Sequence, residues 1–371
     1  MTALSAFLAF AGFAMLVILH ELGHFWAAKA VGMRVEKFSL FFPPTLWSVK
    51  RGETEYAIGA IPAGGYVKIS GMNPSEDLPD EVRTRAYYSQ PVWKRVVVIA
   101  AGPAMNLLLA FILLFVFFWA IGPETLTKRV GEIERGYPAA TVLEPGDRLV
   151  AVDGRGGDHR TLSDRISSHR CPDPDPSRGC KASSPVEVTV MRDGRERTFE
   201  LTPIYDPAAP TGDEGDPRGR TRLGFSYATG PREPLPFGEA GDVTVDQFWF
   251  ITKATIELPA RLIDPEQRRE ISGVVGSYET TRQTILTDVA EVIGILAIIS
   301  LSLAIVNLFP FLPLDGGHIF WAIVEKIRRK PVPFSVMERA GVVGFMLVIL
   351  IFLVGLSNDI DRLSGEGFQV R

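Results

Sequence analysis

In the stretch MLVILHELGHFWAAKAVG, residues 15–32, two imidazoles stand four residues apart with a carboxylate directly after the first: His20, Glu21 and His24. On a helix, positions i and i+4 share one face a turn apart, so both imidazoles can ligate a single metal ion. Glu21 is displaced around the helix, within reach of a water that the ion would hold. Zinc draws the pKa of water down toward ~7, and a neighbouring carboxylate can take that proton and hand it to a leaving amine. This is the H-E-x-x-H arrangement of metal-dependent peptide hydrolysis, with His20 and His24 as ligands and Glu21 as general base. The surroundings sharpen the reading. These groups end an apolar run, and an ionisable side chain at bilayer depth costs roughly 2.5–3.5 kcal/mol on insertion scales, so three together need a compensating partner.

A catalytic zinc takes three protein ligands and keeps one position open. The third is expected on another apolar helix, and NLFPFLPLDGGHIF (307–320) offers Asp315 at the end of a long apolar run. Pro310, Pro313, Gly316 and Gly317 break the helix around it, and broken backbone at membrane depth is tolerated where it lines a cavity. Two alternatives stay open on residue chemistry: a solvated aspartate just past a helix end, or His318 as a rival ligand on the cytoplasmic side of the break.

These residues need elements to carry them. The chain has 371 residues, 46% of them hydrophobic, and a mean hydropathy of +0.15. The apolar residues collect in four blocks, Ala3–Leu19, Val96–Ile121, Val292–Phe309 and Ala340–Leu356. Each has nearly the length, about 17–25 residues, and the lack of charge of a spanning helix. None shows a polar face at the 3.6-residue period. The pattern predicts four transmembrane helices. The first block lacks a basic leader and an A-x-A-like cleavage site, so it reads as retained. The net charge of −4 decides little; its distribution decides orientation. Lys94 and Arg95 abut the second block, and Lys326, Arg328, Arg329, Lys330 and Arg339 lie between the third and fourth. The positive-inside rule puts both regions in the cytoplasm, and both termini and the segment 122–285 outside. The partner this composition demands is a lipid bilayer; no nucleic-acid partner is expected, and the oligomeric state is left open.

The external segment has a β-rich texture. Leu149–Val152 in DRLVAVDG reads as a short buried strand, and PVEVTVMRDGRERTFELTP (185–203) as two strands about an Asp193-Gly194 type I′ turn. EPGDRLVAVDG (144–154) resembles the strand-turn signature of PDZ domains, which take up extended peptide as an added strand. TLSDRISSH (161–169) would be the groove-lining helix, capped by Thr or Ser. Cys171 and Cys180 flank a Pro-rich polar loop outside the membrane, where thiols oxidise; a local structural disulfide is expected, with two free thiols as the alternative. Residues 206–222 read as a loop, and 243–264 as an amphipathic helix, resting on the outer membrane face or packed against the PDZ domain.

H-E-L-G-H at 20–24 together with N-x-x-P-x-x-P-L-D-G-G at 307–317 resembles the site-2 family of intramembrane zinc metalloproteases, and within it the RseP-like group. GAIPAGGYVKI (59–69) resembles that family's glycine-rich hairpin, AGPAMN (101–106) its second-helix signature, and ISGVVG (271–276) a variant of the segment before its third helix, with Val274 where proline is commoner. A single PDZ domain with a cysteine-flanked insertion is similar to actinobacterial members. The resemblance implies His20, His24 and Asp315 as Zn2+ ligands and Glu21 as general base. It also implies a substrate-binding role for Asn307, which on residue chemistry alone could equally be interhelical glue. For Gly64 and Gly65 two readings stand: a strand edge that pairs with unwound substrate, or a plain turn.

The expected organisation is a polytopic α-helical membrane protein with an inserted extracytoplasmic PDZ domain and a cytoplasmic membrane-associated β-hairpin. The first transmembrane helix takes 1–30 and a cytoplasmic loop with the hairpin 31–95. The second helix takes 96–122, the PDZ domain 123–230 and an extracytoplasmic amphipathic linker 231–285. The third helix takes 286–320, a cytoplasmic loop 321–339, the fourth helix 340–357 and an external tail 358–371. The expected activity is zinc-dependent cleavage of single-span membrane proteins in a bacterial plasma membrane, near its cytoplasmic side. From the resemblance, substrates would be anti-sigma-factor-like proteins already cut outside, or remnant signal peptides. A catalytically silent PDZ adaptor and a metal transporter are the rival readings.

Overall fold

A computed structural model describes residues 2–73, 76–207, 220–261, 268, 273–288, 290–330 and 332–364. The chain divides into two units, Met1–Ile121 with Leu235–Arg371, and Gly122–Pro234.

The first unit opens with helix α1 (Thr2–Ala30), continues into an antiparallel pair, β1 (Val35–Arg51) and β2 (Thr54–Ile69), and returns as α2 (Val92–Val116), which ends in a π turn over Phe117–Ile121. The second unit holds β3 (Glu124–Ile133), β4 (Arg148–Val152), α3 (His159–Ser168), β5 (Val186–Arg192), β6 (Arg195–Leu201), β7 (Ile204–Asp206), β8 (Arg220–Arg222) and β9 (Phe225–Arg232). The chain then re-enters the first unit as α4 (Phe237–Ile256), α5 (Val274–Thr287), α6 (Glu291–Asn307), α7 (Asp315–Arg328) and α8 (Phe334–Ser364).

Among the described residues, three helices are long and apolar enough to cross a membrane: α1 over 27 residues, α2 with its π turn over 30, and α8 over 27. At 1.5 Å per residue these exceed a hydrocarbon core of about 30 Å. Phe7, Leu108 and Phe345 point outward, as side chains in lipid do. The apolar helix α6 is shorter, 17 residues. The segment 286–320 is therefore not one continuous helix: it holds the end of α5, α6, a turn and the start of α7. α6 stops at Asn307, the chain turns through 308–314 with its two prolines, and α7 starts at Asp315. The loop expected over 321–339 is also largely helical, because α7 runs on to Arg328 with Lys326 and Arg328 in its last turn, where cations suit the negative helix end. Arg329, with φ 55°, ends it.

α1 and α2 run antiparallel. Lys94 Nζ donates to the Val31 carbonyl at 2.9 Å, and His24 Nδ1 meets the Val98 carbonyl at 2.9 Å, further up the pair. A Cβ on Gly102 would collide with the His24 imidazole, so only glycine lets the helices close here. Further along α2, Ala110 and Leu114 pack with Ala297 and Leu301 of α6 and Ile251 of α4. Helix α4 thus joins the helical bundle, its Phe248 ring 6.1 Å from Phe111 of α2. The helix expected over 243–264 is present and packs on α2 and α6; residues 262–264 lie outside the described residues. The threonines Thr244, Thr252 and Thr255 return their hydroxyls to carbonyls one turn back, which lets these three be buried.

Both strands of the long hairpin bend, so that the first half of β1 lies between the two halves of β2: Phe38 pairs with both Tyr56 and Val67. At the hairpin turn, Glu53 accepts from Arg85 at 2.7 and 2.9 Å and from Lys29 at 2.9 Å, tying the turn to the end of α1.

The second unit is a five-stranded antiparallel sheet in the order β6-β5-β4-β3-β9, with a small β7-β8 pair. Its core gathers alternate residues of β5, Val186, Val188 and Val190, with Leu149, Val152 and Leu162 and Ile166 of α3. Asp193 and Gly194 both have positive φ, 51° and 74°, as a type I′ turn requires. Helix α3 is capped by Asp158, whose carboxylate accepts from the Thr161 amide at 2.7 Å, rather than by Thr or Ser. Cys171 and Cys180 are joined by a disulfide.

Candidate metal centre

Helix α1 delivers His20 and His24 on one face with their Nε2 atoms 3.2 Å apart. Asp315, the first residue of α7, brings Oδ2 to 3.2 Å from His20 Nε2 and 3.4 Å from His24 Nε2. Ligand atoms bound tetrahedrally to zinc at about 2.0–2.1 Å lie about 3.3 Å from one another. The three side chains therefore form one face of such a tetrahedron, and two imidazoles and a carboxylate are a zinc donor set. They are also the one group of three or more His, Cys, Asp or Glu among the described residues that could hold a metal ion. His318, the rival, is outside that group. His169 belongs to the second unit, where its Nε2 meets Asp153 Oδ2 at 2.8 Å.

The supports are readable from the geometry. A carbonyl can only accept, so His24 Nδ1 carries its proton toward Val98, which leaves the Nε2 lone pair for a metal. Asp315 sits in the first turn of α7, where the unpaired amides favour a carboxylate. A side chain at Gly316 would strike the Leu308 backbone, so the first turn of α7 presses against the chain reversal that precedes it. Further along α7, Glu325 takes two hydrogen bonds from Arg95 of α2, at 2.9 and 2.7 Å. This ion pair, which holds α7 against α2, was not visible in the sequence: its partners are 230 residues apart.

A cavity of about 380 Å³ opens on the three donors, and Glu21, Gly64, Gly65 and Asn307 line it. A Cβ on Gly65 would stand 3.1 Å from Glu21 Cγ, a tight contact that glycine avoids where the hairpin passes the Glu21 side chain. The outer edge of β2 from Gly65 to Ile69 has β1 on one side and no strand on the other among the described residues. The structure thus brings together every site residue expected from the sequence apart from the two cysteines, which are in the second unit.

Paired imidazoles on an apolar helix, a carboxylate from a second helix and a further carboxylate, Glu21, beside them define a membrane metallopeptidase. The sequence profile described as Peptidase family M50 matches residues 8–351. The zinc metalloprotease Rip1 of Mycobacterium tuberculosis is 31% identical, over 93% of this chain and 94% of that protein. Rip1 of Mycolicibacterium smegmatis is 30% identical over 89% of this chain and 88% of its own length. The metalloprotease MmpA of Caulobacter vibrioides is 28% identical over 94% of this chain and 93% of its own. The chain belongs to peptidase family M50, the site-2 proteases, and is a zinc metalloprotease of the membrane.

Proposed function

We propose that His20, His24 and Asp315 hold the zinc, that Glu21 is the general base, and that the enzyme cuts single-span membrane proteins within or beside their spanning helix. The observation that carries this is the donor triangle, closed by residues from two apolar stretches of chain and opening on one cavity with Glu21 in its wall. Zinc bound there supplies positive charge to polarise the scissile carbonyl and to acidify a water. Glu21 takes the proton released as the water attacks, and returns it to the amine nitrogen as the C–N bond breaks. Asn307 donates from its carboxamide to the carbonyl oxygen as charge builds there. A silent adaptor has no use for a general base in Glu21's position, and a transporter calls for polar residues distributed along several spans, whereas these cluster at the ends of two.

A helical substrate hides its carbonyls in i→i−4 hydrogen bonds, so it must unwind before it can be cut. The open edge of β2 from Gly65 to Ile69 can pair with the unwound stretch and replace the lost hydrogen bonds. An apolar groove of about 400 Å³ lined by Phe10, Phe13, Ala14 and Tyr278 shares Val17, Gly64 and Gly65 with the catalytic cavity, and offers a spanning helix a surface to approach along.

The protein is placed in a bacterial plasma membrane with four spans, within 1–30, 96–122, 286–320 and 340–357, α6 being the short one that ends at the site. The positive-inside distribution puts the hairpin (31–95) and the 321–339 segment in the cytoplasm, and 123–230, 231–285 and 358–371 outside. The unit Gly122–Pro234 is read as a PDZ domain, with β9 as edge strand and His159 of α3 5.8 Å from Tyr227 of β9. It would admit substrates that have lost a bulky external domain, such as anti-sigma-factor-like proteins after a first cut or remnant signal peptides. The test uses two single-span reporters, one truncated outside and one with a folded external domain, incubated with the purified enzyme in liposomes. Cleavage of the truncated reporter alone is expected. Equal cleavage of both contradicts the filter, and cleavage of neither contradicts the substrate class.

A further inference from the structure

We propose that Asn106 is the positioning residue for His20, doing for it what the Val98 carbonyl does for His24. The inference rests on the reading of His20 as a zinc ligand. The two imidazoles differ in one respect. His24 Nδ1 has its acceptor, whereas His20 Nδ1 is buried with no hydrogen-bond partner among the described residues. Both polar atoms of the Asn106 carboxamide, on a residue 0% exposed, are likewise buried without a partner among the described residues. Buried polar groups are seldom left so, because the lost hydration is not repaid.

The register of the two helices brings these orphans together. Along the antiparallel pair, Val31 meets Lys94, His24 meets Val98 and Gly102, and Gly23 meets Ala101. One turn further, about 6 Å along each axis, His20 lies four residues before His24 and Asn106 four residues after Gly102. Asn106 therefore stands level with His20, on the α2 face that Gly102 turns to α1. The backbone of Asn106 is engaged elsewhere, its carbonyl accepting from Ser300 Oγ at 3.0 Å, which leaves the carboxamide free to serve α1. Asn106 is not among the residues that line the catalytic cavity, so it acts through His20 and not on substrate. Its Oδ1 accepts the Nδ1 proton, directly or through one buried water, fixes the tautomer and keeps the Nε2 lone pair on the metal. Outer-shell partners of this kind are worth about 10–100-fold in metal affinity.

The test measures zinc affinity of the purified full-length protein by competition with a chromogenic chelator, for the wild type, Asn106→Leu, Asn106→Asp and His20→Ala. Asn106→Leu keeps the volume and removes the acceptor; it is expected to weaken zinc binding about 10–100-fold. Asn106→Asp keeps the acceptor and is expected to stay at the wild-type affinity. Reporter cleavage by Asn106→Leu should recover with excess zinc at unchanged KM. Wild-type affinity in Asn106→Leu overturns the proposal, as does equal weakening in Asn106→Asp, which marks a packing role. Should Asn106→Leu fail to fold, Asn106→Ala carries the same comparison. Wild-type affinity in His20→Ala refutes the ligand reading itself, whereas loss there with none in Asn106→Leu refutes only the role of Asn106.

Discussion

At the scale of single residues, the site depends on atoms that carry no side-chain signature. The i, i+4 imidazoles with Glu21 were legible because one helical turn has one geometry, and Asp315 because Pro310, Pro313, Gly316 and Gly317 leave it on broken backbone after an apolar run. The Val98 carbonyl was not legible, since every residue has one and this one lies 74 positions from His24. Gly102 stood in a recognised signature, AGPAMN, yet nothing in the sequence said that its missing side chain makes room for the His24 imidazole. That contact yields a prediction. Gly102→Ala inserts a methyl group where the ring sits, so His24 must leave its place opposite Asp315. Zinc content of the purified protein is expected to fall at least tenfold at limiting zinc, as for a lost outer-shell support. Full occupancy in Gly102→Ala, measured by elemental analysis, would mean that the ring can relocate without loss.

Among the elements, those with a strong local pattern were predicted well and those shaped by tertiary packing were not. The β5–β6 hairpin announced itself through Asp-Gly between alternating residues. β1 did not, because Phe41, Phe42, Pro43 and Pro44 interrupt its alternation; it is a strand because β2 folds along both its edges. α4 looked amphipathic, yet the face it buries carries Thr244, Thr252 and Thr255, whose hydroxyls return to backbone carbonyls, while Trp249 and Phe250 stay exposed. The hairpin that walls the cavity is pinned at its turn by Glu53. Hydrogen bonds from Arg85 first, and then from Lys29, bring its carboxyl from 4.5 down to about 2. A carboxyl depressed on folding adds stability that is complete above its unfolded value and fades as pH falls toward its folded one. The anchor should thus hold at neutral pH and weaken from about 4.5 to about 2. Protection factors for amides across β1 and β2, which take out the intrinsic pH dependence of exchange, should fall over that window in the wild type, and Glu53→Gln should flatten part of the change. An unaltered pH dependence in Glu53→Gln would show that the turn is held by other groups.

Across the whole molecule, one chemical centre is built from the N-terminal helix and a reversal almost 300 residues later, and the intervening Gly122–Pro234 unit has a core and a covalent tie of its own. The four apolar blocks were plain in the sequence, but the length of α6 was not, since hydropathy continues past Asn307 into the turn that ends the helix. The Cys171–Cys180 bridge closes a loop with a sequence separation of 9, for which the loop-entropy relation gives about 2–3 kcal/mol. Replacing both cysteines with serine should destabilise this unit by about that amount in denaturant titration and leave zinc content unchanged; a loss of zinc would tie the loop to the metal centre. The central claim, that His20, His24 and Asp315 bind and Glu21 moves protons, is tested most directly by separating binding from turnover. Zinc content and reporter cleavage are measured together in the wild type, Glu21→Gln and Asp315→Ala. The account predicts that Glu21→Gln keeps its zinc with cleavage reduced at least about 100-fold, and that Asp315→Ala loses both. Cleavage at the wild-type rate by Glu21→Gln, or full zinc in Asp315→Ala, would contradict it.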